Sequence, residues 1–147
     1  MITLRPFEPG DEWRLDVQPE QRLDREAFVG TGMMHVARDG FSFSAFDETA
    51  ACVAIGGVAH KWGSVGIAWA FMSPAAGRHM ATLTRHVRIG LDVQSFERIE
   101  AVTLADFRPA RRWLGMLGFA LEADRMKGYD RHGRDMALFA LVRDHRQ

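Results

Sequence analysis

The sequence predicts a mixed α/β (α+β) fold, a sheet with helices on its faces. Three observations carry this. Residues 65–72 alternate Val65, Ile67, Trp69 and Phe71 with Gly66, Ala68, Ala70 and Met72, the period of a strand. Met80, Leu83, Val87 and Leu91 recur at the spacing of one helical face, as do Ala110, Trp113, Leu114 and Leu117. Extended and helical stretches are interspersed along the chain in the order strand, helix pair, three strands, helix, strand, helix, two strands.

Each element has its own signal. Ile2 to Phe7 reads as a short strand closed by Pro9 and Gly10, and residues 11–29 read as helix, split in two by Pro19. Phe41, Phe43 and Ala45 alternate with Ser42 and Ser44, a half-buried strand. Residues 51–59 form a more buried strand whose Gly56 and Gly57 point to a bulge or a close backbone approach, and HKWGS at 60–64 reads as a turn. Arg98 to Leu104 is the next strand. The helix carrying Trp113 and Leu114 on its apolar stripe ends at Gly118, and Asp106 stands near its start, where Asp serves as an N-cap. Residues 120–128 and 136–142 read as two strands joined by the loop YDRHGRD.

A chain of 147 residues, 47% hydrophobic and 26% charged, fits one domain over residues 1–147 with a full core. No apolar run is long enough to span a bilayer, and the first residues lack the pattern of a signal peptide, so a cytoplasmic protein is expected. Cys52, the single cysteine, lies in an apolar run and reads as a small buried thiol. The net charge is zero, but residues 1–60 carry 5 Lys+Arg against 10 Asp+Glu, so the remainder of the chain carries 14 against 9. An acidic half and a basic half suit a cationic and an anionic partner respectively, while a neutral total argues against non-specific nucleic-acid binding. No metal ligand set is called for.

The stretch MSPAAGRHM, residues 72–80, connects the regular strand to the first long helix through small residues. A helix N-terminus offers backbone N–H groups and a positive dipole end to an anion, and small residues let the backbone approach it. An ordinary strand-to-helix connection is the plain alternative.

Together with GGV at 56–58, RIEA at 98–101 and DFRPARRWLGMLGF at 106–119, this element order resembles the GNAT family of acyl-CoA N-acyltransferases over about residues 1–142. The motif string is most similar to a small phage or prophage-type branch. The resemblance implies a mostly antiparallel sheet of about seven strands flanked by about four helices. It also implies acetyl-CoA as co-substrate and an amine acceptor, either a small molecule or a protein amine, with a homodimer as one assembly. By the same resemblance the cofactor lies against Phe71, Met72, Ser73, Gly77, Arg78, His79 and Met80; Arg111, with its neighbours Arg108 and Arg112, is either a further phosphate contact or part of a solvated helix face. A backbone N–H at Phe71 or Met72 would meet the oxyanion. The match is incomplete. Pro74 stands where the family has Gln or Arg, and His79 where it has a second glycine; Leu114 replaces a common catalytic Tyr and Phe107 a common Asn. Glu100 and Asp106 are the carboxylates available as general base. The alternative reading is a catalytically inactive protein of the same fold, used for binding or as a virion-associated assembly component.

Overall fold

The computed structural model describes residues 1–30 and 41–143. Among these residues the strands are β1 (Thr3–Arg5), β2 (Ser42–Phe46), β3 (Cys52–Trp62), β4 (Val65–Met72), β5 (Arg98–Leu104), β6 (Ala120–Met126) and β7 (Met136–Val142). The α-helices are α1 (Asp11–Arg14), α2 (Arg22–Gly30), α3 (Met80–Asp92) and α4 (Arg108–Met116). The sheet order is β1-β2-β3-β4-β5-β7-β6. β1 with β2, β2 with β3, β5 with β7 and β6 with β7 pair antiparallel, while β4 and β5 run parallel with Val65 opposite Arg98 and Ile67 opposite Glu100. This is the mixed, mostly antiparallel seven-stranded sheet with four helices that the sequence predicts. By contact density the chain divides into two compact units, Met1–His60 with Ala68–Gln94 and Lys61–Ile67 with Ser95–Gln147.

In the first unit Pro19 opens a 3₁₀ turn, Pro19–Gln21, which leads into α2. A core cluster gathers Phe7, Leu15, Val17, Phe28, Cys52, Ile55 and Phe71, with Phe46 and Trp69 against it. The Trp69 ring meets Phe7 edge-on at 5.2 Å and Phe28 at 4.9 Å, which places the large face of β4 in this core. Asp11 is buried beneath β1 and β2. Burial alone would raise its carboxyl, but hydrogen bonds from the Arg5 guanidinium (2.7 and 2.8 Å), the Glu8 N–H and the Ser44 hydroxyl hold it below its ordinary value.

The glycine pair marks a close approach. A Cβ on Gly57 would stand 2.2 Å from the Phe41 carbonyl oxygen, and one on Gly56 would meet the Phe43 ring at 2.8 Å and the Trp69 carbonyl at 2.9 Å. The register shift of β2 lies elsewhere, between Ala45 and Phe46. The Phe41 ring also covers Gly90 of α3, where a Cβ would sit 2.1 Å from it. His86 packs against Phe41 and Phe43, and this burial lowers its pKa.

Three expectations from the sequence need correction. His60, Lys61 and Trp62 continue β3 rather than forming a turn, so the connection to β4 shrinks to Gly63 and Ser64, with Gly63 at φ 49°. Tertiary pairing favours the extended state there, since Lys61 reaches Glu100 at 2.6 Å. Asp106 does not cap α4. Phe107 occupies the N-cap position with no side-chain hydrogen bond, while the Asp106 carboxylate accepts from Arg125. Trp113 is half-buried, and the buried residues of that helix end are Leu114, Leu117 and Phe119. The predicted stop at Gly118 does stand: Gly118 takes φ 99°, its N–H bonds the Gly115 carbonyl, and the Phe119 N–H reaches back to Leu114 at 3.0 Å, a Schellman closure.

Candidate active site

The upper half of β4 presents two different edges. The Ser73 N–H, just past the strand, donates to the Val53 carbonyl of β3 at 2.9 Å. Backbone groups of successive strand residues point to alternate edges. The peptide groups of Ala70 and Met72 therefore face away from β3, and the Phe71 N–H faces toward it. Of the two donors named for an oxyanion, Met72 alone lies on the edge away from β3.

That edge is occupied by the segment around Pro19. The Met72 N–H donates to Gln21 Oε1 at 2.8 Å, and Gln21 Nε2 donates to the Ala70 carbonyl at 2.7 Å. The Gln18 N–H donates to the Met72 carbonyl at 2.8 Å, and Gln18 Nε2 supports Gln21 Oε1 at 2.9 Å. The 3₁₀ turn holds Gln21 in place, its N–H bonded to the Gln18 carbonyl.

Beyond Met72 the chain turns at Ser73 and winds as a 3₁₀ segment, Pro74–His79, before α3 begins at Met80. Ser73 is buried and caps this segment: its Oγ accepts from the Ala75 N–H at 3.1 Å, and its carbonyl accepts from the Ala76 N–H at 2.9 Å. The first two donors of the turn are thus satisfied internally. Gly77 is exposed, its φ is not in the left-handed region, and a Cβ there would meet nothing within 4 Å. Among the described residues, neither backbone conformation nor packing requires a glycine at this position. Arg78 places a guanidinium at this edge, paired to Glu48 at 3.0 Å, and its Nε–H donates to His79 Nε2 at 3.3 Å.

The remaining predicted residues lie in the second unit and are not gathered into one cluster. Glu100, its side chain 17% exposed, accepts from Lys61 at 2.6 Å and from Arg98 Nε at 2.8 Å. The Lys61 hydrogen bond, followed by that of Arg98, holds its pKa below the ordinary value, which makes it a weaker proton acceptor. Asp106 is 83% exposed and paired with Arg125. Arg111 is engaged by the Ala105 carbonyl at 2.9 Å and the Asp124 carboxylate at 2.5 Å, and lies over the Phe139 ring. Its guanidinium ties α4 to β6.

Sequence reasoning passed over Gln18 and Gln21. Neither glutamine carries a chemical signature, and the bonds of Gln21 to β4 span 49 and 51 residues. Cys52 is buried, and burial, then the nearby Asp11 charge, pushes its thiol up to about 11, so it is held as an unreactive thiol. Among the described residues no group of three or more His, Cys, Asp or Glu is placed to hold a metal, and no helix is long and apolar enough to cross a membrane.

No family model and no curated protein matches the sequence. Solved structures do match the fold. The ribosomal-protein-S18-alanine N-acetyltransferase from Escherichia coli superposes with a TM-score of 0.71 at 16% identity, covering 100% of this chain and 97% of that one. A spermidine N-acetyltransferase variant from Vibrio cholerae gives 0.62 at 13% identity, with 96% and 93% covered. An acetyltransferase of the GNAT family from Bacillus anthracis gives 0.66 at 14% identity, with 96% and 94% covered. The chain has the fold of the GNAT N-acetyltransferases.

Proposed function

We propose that this protein is an N-acetyltransferase that passes an acetyl group from acetyl-CoA to an amine. The observation that carries the reading is Gly77: an exposed glycine without a conformational or packing requirement, in the turn between β4 and α3 of an acetyltransferase fold. Glycine costs about 0.5–1 kcal/mol relative to alanine in a helical segment, so an open surface for an incoming ligand accounts for it better than the fold does. The exposed Arg78 guanidinium gives the turn the charge that suits a phosphate. Ser73 keeps the Ala75 and Ala76 amides, so the anion is met by side-chain charge and the open Gly77 surface.

In the reaction the neutral amine attacks the thioester carbon, the C–N bond forms, the C–S bond breaks and the thiolate leaves. A thiol of ordinary pKa ~8.5 leaves with little acid assistance, which fits the lack of a tyrosine at Leu114. Of the two carboxylates, we assign the ammonium proton to Asp106, which is exposed, and a structural role to Glu100, which already binds two cations. The acceptor class is open between a protein amine and a small amine, since the similar enzymes named above include both. The phage-type branch and a cytoplasmic location belong to the same proposal, resting on sequence alone.

Incubation with acetyl-CoA and a panel of amines, read by free-thiol release and mass spectrometry, tests this. Thiol release matched by an acetylated amine is expected, with Asp106→Asn lowering turnover about 10²-fold or more and recovering in part at higher pH. An Asp106→Asn rate equal to that of the parent across pH 6–9 would remove Asp106 as the base. A folded protein that neither binds acetyl-CoA nor releases thiol favours the non-catalytic reading.

A further inference from the structure

We infer that Gln21 is a gate on the β4 edge: its carboxamide occupies the Met72 N–H in the free protein and must swing away before that N–H can serve a bound thioester. The inference rests on the acetyl-CoA reading above and goes beyond it by naming the residue that controls access to the donor.

The geometry is that of a missing strand. A residue on a parallel neighbour accepts, through its carbonyl, from one N–H of the strand and donates its own N–H to a carbonyl two residues away on the same edge. The Gln21 carboxamide makes this pair of bonds, accepting from Met72 and donating to Ala70. Gln18 extends the imitation by donating its backbone N–H to the Met72 carbonyl. An open strand edge carries unpaired polar groups, and this chain supplies its own cover for two residues of it.

The cover is removable. The bonds from the Gln21 side chain are between neutral groups, and this residue is only half-buried. Rotation of its side chain frees the Met72 N–H without moving β4. Gln18, whose side chain bonds Gln21 Oε1, is the second partner to be released. A ligand that uses the same N–H competes with Gln21, so its apparent affinity is reduced by the fraction of molecules in which the gate is open. One net hydrogen bond of ordinary strength corresponds to about tenfold.

The test compares the parent with Gln21→Met, which keeps the side-chain volume and removes both bonds, and with Gln21→Ala. Acetyl-CoA is titrated by calorimetry, and amide hydrogen exchange at Met72 is followed without ligand. Both variants are expected to bind acetyl-CoA about tenfold more tightly than the parent, with Met72 exchanging about tenfold faster. If the parent binds and the folded variants bind equally or more weakly, Gln21 merely buttresses β4 and the gate is overturned while the acetyl-CoA reading stands. If no form binds acetyl-CoA, that reading fails and the gate fails with it.

Discussion

Two regions of this chain are held together by opposite means. Around β2, β3 and α3 the joint is made by absence: Gly56, Gly57 and Gly90 lack the Cβ atoms that Phe41, Phe43 and Trp69 would strike. Along β5, β6 and β7 it is laced with charge. Glu100 joins Lys61 and Arg98, Arg98 joins Glu122, Arg125 joins Asp106 and Asp135, and Arg134 joins Asp130. Close packing tolerates no added volume and is indifferent to salt and pH. Exposed ion pairs are each weak, are screened by salt, and fail when their carboxylates are protonated. The contrast teaches that one methyl group in the first region should matter more than one ion pair in the second.

The strongest way to break that contrast is Gly57→Ala. The new Cβ would meet a backbone carbonyl, which cannot yield as a side-chain tip can, so a cost of about 3 kcal/mol or more is expected in chemical denaturation. A loss under 1 kcal/mol would show that β2 and β3 can separate locally and that the joint is soft.

Within the second region, Trp113→Ala and Glu100→Gln separate apolar from ionic contributions. Trp113 is half-buried, so its truncation should cost about 2 kcal/mol, less than the 3–5 kcal/mol typical of a fully buried tryptophan. Glu100→Gln should cost about 1 kcal/mol at neutral pH, because both cationic partners retain contact with water. The pH dependence sharpens this. The folded pKa of Glu100 lies below its ordinary value of 4.5, so its stabilisation is present above that value and is lost as pH falls through the folded pKa. The difference between parent and Glu100→Gln should therefore close in acid. A difference that persists at pH 2 would mean that Glu100 acts through packing.

How much of this was legible follows the same divide. Strand β4 and helices α3 and α4 announce themselves because alternation and helical spacing are local and dense. Gly56 and Gly57 were readable as a bulge or a close approach, the two uses of glycine inside a strand, and the packing against Phe41, Phe43 and Trp69 makes it the second. The ionic pairings had no such signal. Asp106 looks like a helix cap from its neighbours, yet its partner Arg125 lies 19 residues on, brought beside it by the α4–β6 connection. Trp113 shares a stripe with Leu114 and Leu117, but a stripe has a centre and a rim, and only packing decides which residue takes the rim. In the candidate site the turn at Gly77 was legible from its composition. The occupant of the β4 edge was not, because the bonds of Gln21 depend on chain folding between segments without shared periodicity.

The central claim is that the β4–α3 turn receives acetyl-CoA, and a thermal shift with Gly77→Glu as control tests it most directly. At 100 times its Kd the ligand should raise stability by about 2.7 kcal/mol. Gly77→Glu, placing a carboxylate in open space, should melt close to the parent without ligand and show no shift with it. Equal shifts in parent and variant, or no shift in the parent at millimolar acetyl-CoA, would contradict the account.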